Sequence, residues 1–336
     1  MVHDSTSPSM PLGVHRAVRA ALVMLLALAP TTASALSGIA LRSLCDDLPA
    51  GGGDLAAAAR HRADGDAAFA KRADPAQLDA AVAAYTTSLA ADGRQADVRV
   101  KLSRLQYLLG DGRHRVAEDD DAQLAAFEAG MRQAAAALAT VNPGFRQRIC
   151  GGASVEEAIA VLDRGSVPAL YWFATHLGKY GLAKDLLEVL ANKDMIFASM
   201  ARIRAMDPGY FYFAPDRYLG AYYTKVPFPA GDLPRSLGHF QATMRGARAY
   251  FATYVLTAEL YALKAKAKTP AGARFCRADS ALGGTGDPCK RLFVAMLKHV
   301  VDAKNELPEI EAEQAIEREK AKRLLDEVDT YFPDAG

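Results

Sequence analysis

The sequence predicts an all-α chain of stacked helical hairpins, on three observations. Alanine, the strongest helix former, supplies 67 of the 336 residues. Apolar residues recur at three- and four-residue spacing in segments that stop at Gly or Pro. No segment alternates apolar and polar residues for long enough to make a strand. The same composition excludes other classes. Lys+Arg (40) and Asp+Glu (39) balance, which argues against a protein that tracks nucleic-acid phosphates. At 51% hydrophobic the chain is too apolar to stay disordered. Beyond the N-terminus no apolar run reaches about 18 residues, so a polytopic membrane protein is excluded as well.

The first element is an address. His15-Arg16-Ala17-Val18-Arg19 is a basic start, Ala20 to Ala29 an apolar core, and Pro30 a break before Ala33-Ser34-Ala35, an A-x-A cleavage site. The core, about ten residues, is too short to span a bilayer. Residues 1–35 are therefore expected to be a signal peptide cleaved near Ala35, leaving a formally neutral chain. Cys45 is a poor lipid-anchor site, because Arg42-Ser43-Leu44 stands where small residues are needed. Four cysteines in an exported chain read as two disulfides, for which three pairings exist. Cys276 and Cys289 bracket a Gly- and Pro-containing loop and are expected to pair, leaving Cys45 for Cys150.

Gly51-Gly52-Gly53 closes an N-terminal extension, 36–53, and one helical domain is expected over 54–330. Its first helices are predicted over 56–72, 76–91, 97–109 and 123–141. They stop at Asp74-Pro75, Asp92-Gly93, Gly110-Asp111-Gly112 and Asn142-Pro143-Gly144. Units of about 35–50 residues made of helix, turn and helix fit the tetratricopeptide pattern of roughly 34 residues with insertions. Leu219-Gly220-x-x-Tyr223, Ala81-x3-Tyr85 and the Met206-Asp207-Pro208 stop match its positions. The expected fold is a tetratricopeptide-like α-solenoid. Glu118-Asp119-Asp120-Asp121 lacks the alternating ligands of a calcium loop and reads as a helix start.

The aromatic residues are segregated. Residues 36–140 hold four, whereas residues 171–261 hold eighteen of the chain's 13 Phe, 13 Tyr and 1 Trp. Core packing accounts for the Phe residues. Tyr outnumbers Phe in this stretch, and each buried phenol needs a partner. Trp172, His176 and Lys179 share a stripe at i, i+4, i+7. Core packing and cavity lining compete as readings of the Tyr and Trp residues. The candidate ligand-binding residues are Tyr171, Trp172, His176, Lys179, Tyr210, Tyr212, Arg217, Tyr218, Tyr222 and Tyr223. Enzyme signatures are missing: the seven His are scattered, and no zinc, nucleophile-elbow or phosphate-loop motif is present. A non-enzyme without metal or cofactor is expected.

At these residues the chain resembles the T-component family of tripartite ATP-independent periplasmic (TRAP) transporters. The resemblance rests on Ala169-Leu170-Tyr171-Trp172 through Leu177-Gly178-Lys179. It continues with Asp207-Pro208-Gly209-Tyr210 and Arg217-Tyr218-Leu219-Gly220-Ala221-Tyr222-Tyr223. A closing helix pair follows, with Phe293, Leu297 and Val301, then Leu307-Pro308-Glu309 and Ala321 to Leu325. It implies a periplasmic, tetratricopeptide-like accessory protein that holds or relays an apolar small molecule, an organic acid or lipid. It also implies docking to a periplasmic solute-binding protein, and assembly as a homotrimer. Many members are lipoproteins; without a lipobox here, any outer-membrane association is peripheral. The insert between Cys276 and Cys289, and Pro229-Ala230-Gly231-Asp232 in place of a glycine pair, depart from the family pattern. Two alternatives stay open: a tetratricopeptide scaffold for protein partners, and a lipid or sterol shuttle between the inner and outer membranes.

Overall fold

Acidic and amide side chains set where the helices begin. Asp54 accepts a hydrogen bond from the Ala57 amide (2.8 Å), Asp74 from Ala76 (2.8 Å) and Asn142 from Phe145 (3.0 Å). Pro75 and Pro143 follow two of these caps at the first helical position, where a missing N–H costs nothing. The acidic run at 118–121 belongs to the same class: Asp119 caps the next helix through the Ala122 amide, with Asp120 and Asp121 in its first turn. The computed structural model describes residues 41–45, 53–265, 276 and 287–333. The expected signal peptide lies outside the described residues, as does most of the expected extension.

Every regular element among the described residues is helical. The first hairpin joins α1 (Leu55–Phe69) to α2 (Pro75–Ala91), and α3 (Ala96–Tyr107) packs on α4 (Asp120–Val141). Short α5 (Pro143–Cys150) and α6 (Val155–Ala160) lead to α7 (Val167–Lys184), which lies against both α4 and α8 (Leu186–Met206). Next come α9 (Tyr210–Lys225) and α10 (Leu233–Gly246), then α11 (Phe251–Leu256), which continues through a π turn, Thr257–Ala262. The chain finishes with α12 (Pro288–Asp302), α13 (Glu311–Asp326) and α14 (Val328–Tyr331). Alanine lets α4 approach its neighbours closely: Ala134, Ala135 and Ala137 are fully buried. One apolar core runs from α1 to α9 around Tyr85, Phe127, Trp172 and Phe173, and a second joins α10 to α14 around Phe240, Phe251, Phe293 and Leu297.

Two features depart from a simple row of hairpins. Repeats in an open solenoid touch only their neighbours. Here α13 returns to the start of the chain, where Glu313 accepts from Arg72 (3.0 Å) and Arg104 (2.6 Å). The second departure is at Gly110-Asp111-Gly112, expected to end the third helix. The helix instead runs on as a π turn, Leu108–His114. A Cβ on Gly110 would lie 2.7 Å from the Phe127 ring, and one on Gly112 would lie 2.6 Å from Ile316. These glycines serve close approach to α4 and α13, not termination.

Both expected disulfides are present, Cys45–Cys150 and Cys276–Cys289. They fit an exported protein. No helix among the described residues is long and apolar enough to cross a membrane. The first bridge pins the segment that buries Leu41 and Leu44, and Arg146 donates to the Leu44 carbonyl (2.7 Å). Its sequence separation is 105 residues. Replacing Cys45 and Cys150 with Ser is expected to lower unfolding free energy by about 2–5 kcal/mol in denaturant titration.

Candidate ligand-binding site

The site is organised around a buried carboxylate. Asp111, on the π turn after α3, receives both oxygens' hydrogen bonds from Lys179 of α7 (2.9 Å each). Lys320 of α13 also donates to it, and Arg115 stands 3.6 Å away. Glu317 accepts from Lys320 (2.9 Å), and Glu259, on the π turn after α11, accepts from Arg115 (3.2 Å). Three cations thus meet three carboxylates at the junction of four segments. Burial alone would raise the Asp111 pKa. The ammonium groups of Lys179 and Lys320, with Arg115, outweigh it and hold the carboxyl well below its usual range.

Beside this cluster α7 is buried on almost every side. Tyr171, Trp172 and His176 are all in the packed core. Trp172 sits between Tyr107 (5.5 Å between centroids) and Tyr171 (4.9 Å). The His176 Nε2 lies 2.9 Å from the Ser103 carbonyl oxygen, so that nitrogen carries the proton. Burial drops the imidazole pKa to about 4, leaving it neutral. Gly130 makes room for this ring, because a Cβ there would lie 2.1 Å from it.

The aromatic run after Asp207-Pro208 takes an uncommon shape. Phe211, Tyr212 and Phe213 have φ of 42°, 58° and 57°, the left-handed region that bulky residues avoid. Such residues cost about 1–3 kcal/mol each and persist only where their surroundings hold them. Arg217 is the holder here. It is 1% exposed, and donates to the carbonyls of Tyr212 (2.9 Å) and Phe211 (3.4 Å). Its guanidinium also lies 4.4 Å from the Tyr250 ring centroid.

An apolar cavity opens between α7, α8, α9 and α11. Its cavity volume is about 60 Å³, walled by Leu182, Val189, Ile196, Val226, Leu256 and Leu260. Tyr218, Tyr222 and the stems of Lys179, Lys193 and Lys225 complete it. A polar cavity of about 220 Å³ shares Lys179, Leu182, Lys225, Leu256 and Leu260 with it and is bounded by Asp111, Arg115 and Glu259. The compound space is amphipathic, with its polar part against the ionic cluster.

Three of the ten sequence-selected residues, Lys179, Tyr218 and Tyr222, are therefore on the cavity wall. Tyr171 packs edge-on against Tyr218 (5.9 Å) and face-tilted against Phe211 (5.2 Å), one layer behind. Trp172 is not on the wall and lies behind it, against Tyr171 and Tyr107. Tyr210 adjoins Tyr171 (5.4 Å), Tyr212 stacks on Tyr250 (5.0 Å), and Tyr223 stacks on His239 (5.6 Å). Arg217 lies among the tyrosines with no carboxylate beside it among the described residues. Sequence reasoning missed Lys193, Lys225, Leu256 and Leu260. A signal existed for Lys225: Tyr218, Tyr222 and Lys225 follow i, i+4, i+7 on α9.

Residues 122–270 match the family model described as TRAP transporter T-component. That stretch of the chain is similar to the family. Every residue of the apolar cavity wall falls within the matched T-component stretch. The family is a transport accessory component, and none of the curated proteins matches this chain.

The ionic cluster makes two tests. Asp111→Ala leaves Lys179 and Lys320 buried without their shared partner and is expected to cost about 3–5 kcal/mol in denaturant titration. The depressed pKa adds a pH signature. A carboxyl titrating below its reference value of 3.8 contributes fully above that value and loses its contribution as pH falls through the folded pKa. Below about pH 4 the wild-type protein should therefore lose stability more steeply than Asp111→Asn.

Proposed function

We propose that this chain is a non-enzymatic, periplasmic accessory protein of a TRAP-type system, a T-component that holds or relays an apolar small molecule. The carrying observation is the apolar cavity within the matched stretch, whose wall is almost entirely hydrocarbon although three lysines contribute to it. A ligand with a hydrocarbon body fills the apolar part, and a polar end reaches the side shared with Asp111 and Arg115. In this reading Tyr218, Tyr222 and Lys179 touch the ligand. Tyr171, Trp172, His176, Tyr210 and Arg217 hold that wall in place, and Tyr212 and Tyr223 brace its surroundings. Residues 54–330 act as one domain of degenerate tetratricopeptide-like hairpins.

Docking of a periplasmic solute-binding protein is part of the same reading. Leu187 is 73% exposed and Phe228 91% exposed. They stand two residues from Val189 and Val226 of the cavity wall, so an apolar rim is available for a partner. A homotrimer belongs to this reading by resemblance to the family.

Solvent extraction of the purified protein followed by mass spectrometry is expected to release a bound apolar compound, and its identity separates an organic acid from a lipid or sterol. Ala221 of α9 also lines the cavity, and Ala221→Phe, which fills it, should cut the recovered amount by more than half while the circular dichroism spectrum is retained. Recovery of nothing from the wild type, with no thermal shift from added fatty acids, sterols or organic acids, would sink the reading.

A further inference from the structure

A second cleft shares no residue with the apolar cavity. It opens where α13 meets the start of the chain and has a cavity volume of about 770 Å³. Its charged members are Arg72, Arg104, Arg248 and Glu309. Behind them, Glu313 is 2% exposed and is shared by two guanidinium groups, those of Arg72 and Arg104. Glu309 is engaged by the Tyr212 hydroxyl. Arg248 is on the surface and has no ion-pair partner among the described residues. Three cations therefore face two carboxylates, a surplus of one positive charge.

Donors are left over too. Arg72 is 7% exposed and its Nε is buried with no acceptor; Arg104 Nη2 is in the same position. A guanidinium edge without an acceptor is costly in a protein interior, and a carboxylate or sulfonate satisfies it best. The orientation of Arg104 is fixed, because its guanidinium lies 5.5 Å from the Phe69 ring centroid and 5.2 Å from that of Phe211. The remaining wall joins the rings of Phe69, Phe211, Tyr212 and Phe213 to Leu307 and Ile310, with Phe213 tucked against Gly246, where a Cβ would lie 2.4 Å from the ring. The left-handed turn at 211–213 thus presents rings beside arginines in a cleft that shares no lining residue with the apolar cavity.

We propose that this cleft is a second binding site, for a small organic monoanion with a flat apolar body. The rings take the flat body by stacking, and the surplus guanidinium charge takes the anionic group. An open, charged cleft and a hydrocarbon-walled cavity on one chain then bind ligands of different chemistry independently.

Two fluorescent probes with one aromatic skeleton test this: 8-anilino-1-naphthalenesulfonate, an anion, and N-phenyl-1-naphthylamine, its neutral counterpart. Both are titrated into wild-type protein and into Ala221→Phe, in which the apolar cavity is filled. The sulfonate is expected to saturate one site that survives Ala221→Phe. Arg248→Met, a surface change, and Arg104→Lys, which keeps the charge but loses the planar fork, should each weaken that site roughly tenfold or more. The neutral probe should bind equally well to the parent and to Arg248→Met, and should not displace the sulfonate. Unchanged sulfonate affinity in Arg248→Met would overturn the proposal, as would displacement of the sulfonate by the neutral probe. Failure to recover an apolar compound from the other cavity bears on that cavity alone, since the arginine dependence is read in the cleft.

Discussion

The arrangement depends on one buried carboxylate. Asp111 is the acceptor that makes it tolerable to bring Lys179 of α7 and Lys320 of α13 together away from water. Without it two like charges would meet in the interior, and the last long helix would lose one of the contacts that return it to the first helices. The cluster therefore does for this fold what nearest-neighbour stacking does for an open solenoid. It joins elements more than two hundred residues apart, and Glu313 with Arg72 and Arg104 repeats the device one turn and more along α13.

The same constraint decides the chemistry of the cavity. A cavity bordered by three lysines would ordinarily be wet and cationic. Lys179 has its ammonium committed to Asp111, so only its methylene stem faces the apolar space. The polar neighbour is confined to the side where Asp111, Arg115 and Glu259 stand. At their border Lys179 is held by Asp111, which keeps its charge on the polar side.

Much of the helical plan was legible in the chain. Alanine content, Asp and Asn before helix starts, and proline at first positions pointed to helices whose limits differ by only a few residues from those observed. The disulfide pairs were legible from loop spacing. Gly110-Asp111-Gly112 was misread, since glycine signals both a stop and a close approach, and only the partners Phe127 and Ile316 distinguish them. The binding residues were legible by region more than by position. Tyrosine enrichment located the right helices, but burial on all sides of α7 cannot be seen in a one-sided stripe such as Trp172, His176 and Lys179. The apolar wall residues Leu256 and Leu260 carry no chemical signature; they are found only by knowing which helices enclose the space. The left-handed turn at Phe211 to Phe213 runs against local preference, and its cause, Arg217, acts from the following helix turn.

The Cys45–Cys150 bridge has a consequence for the integrity of the chain. It closes a covalent ring that contains α1 to α4 and most of α5. A protease that cuts once anywhere inside this ring opens it without releasing a fragment, so the severed pieces remain in register to repack. A single nick in the alanine-built half of the protein then leaves its pieces tethered instead of shedding a domain.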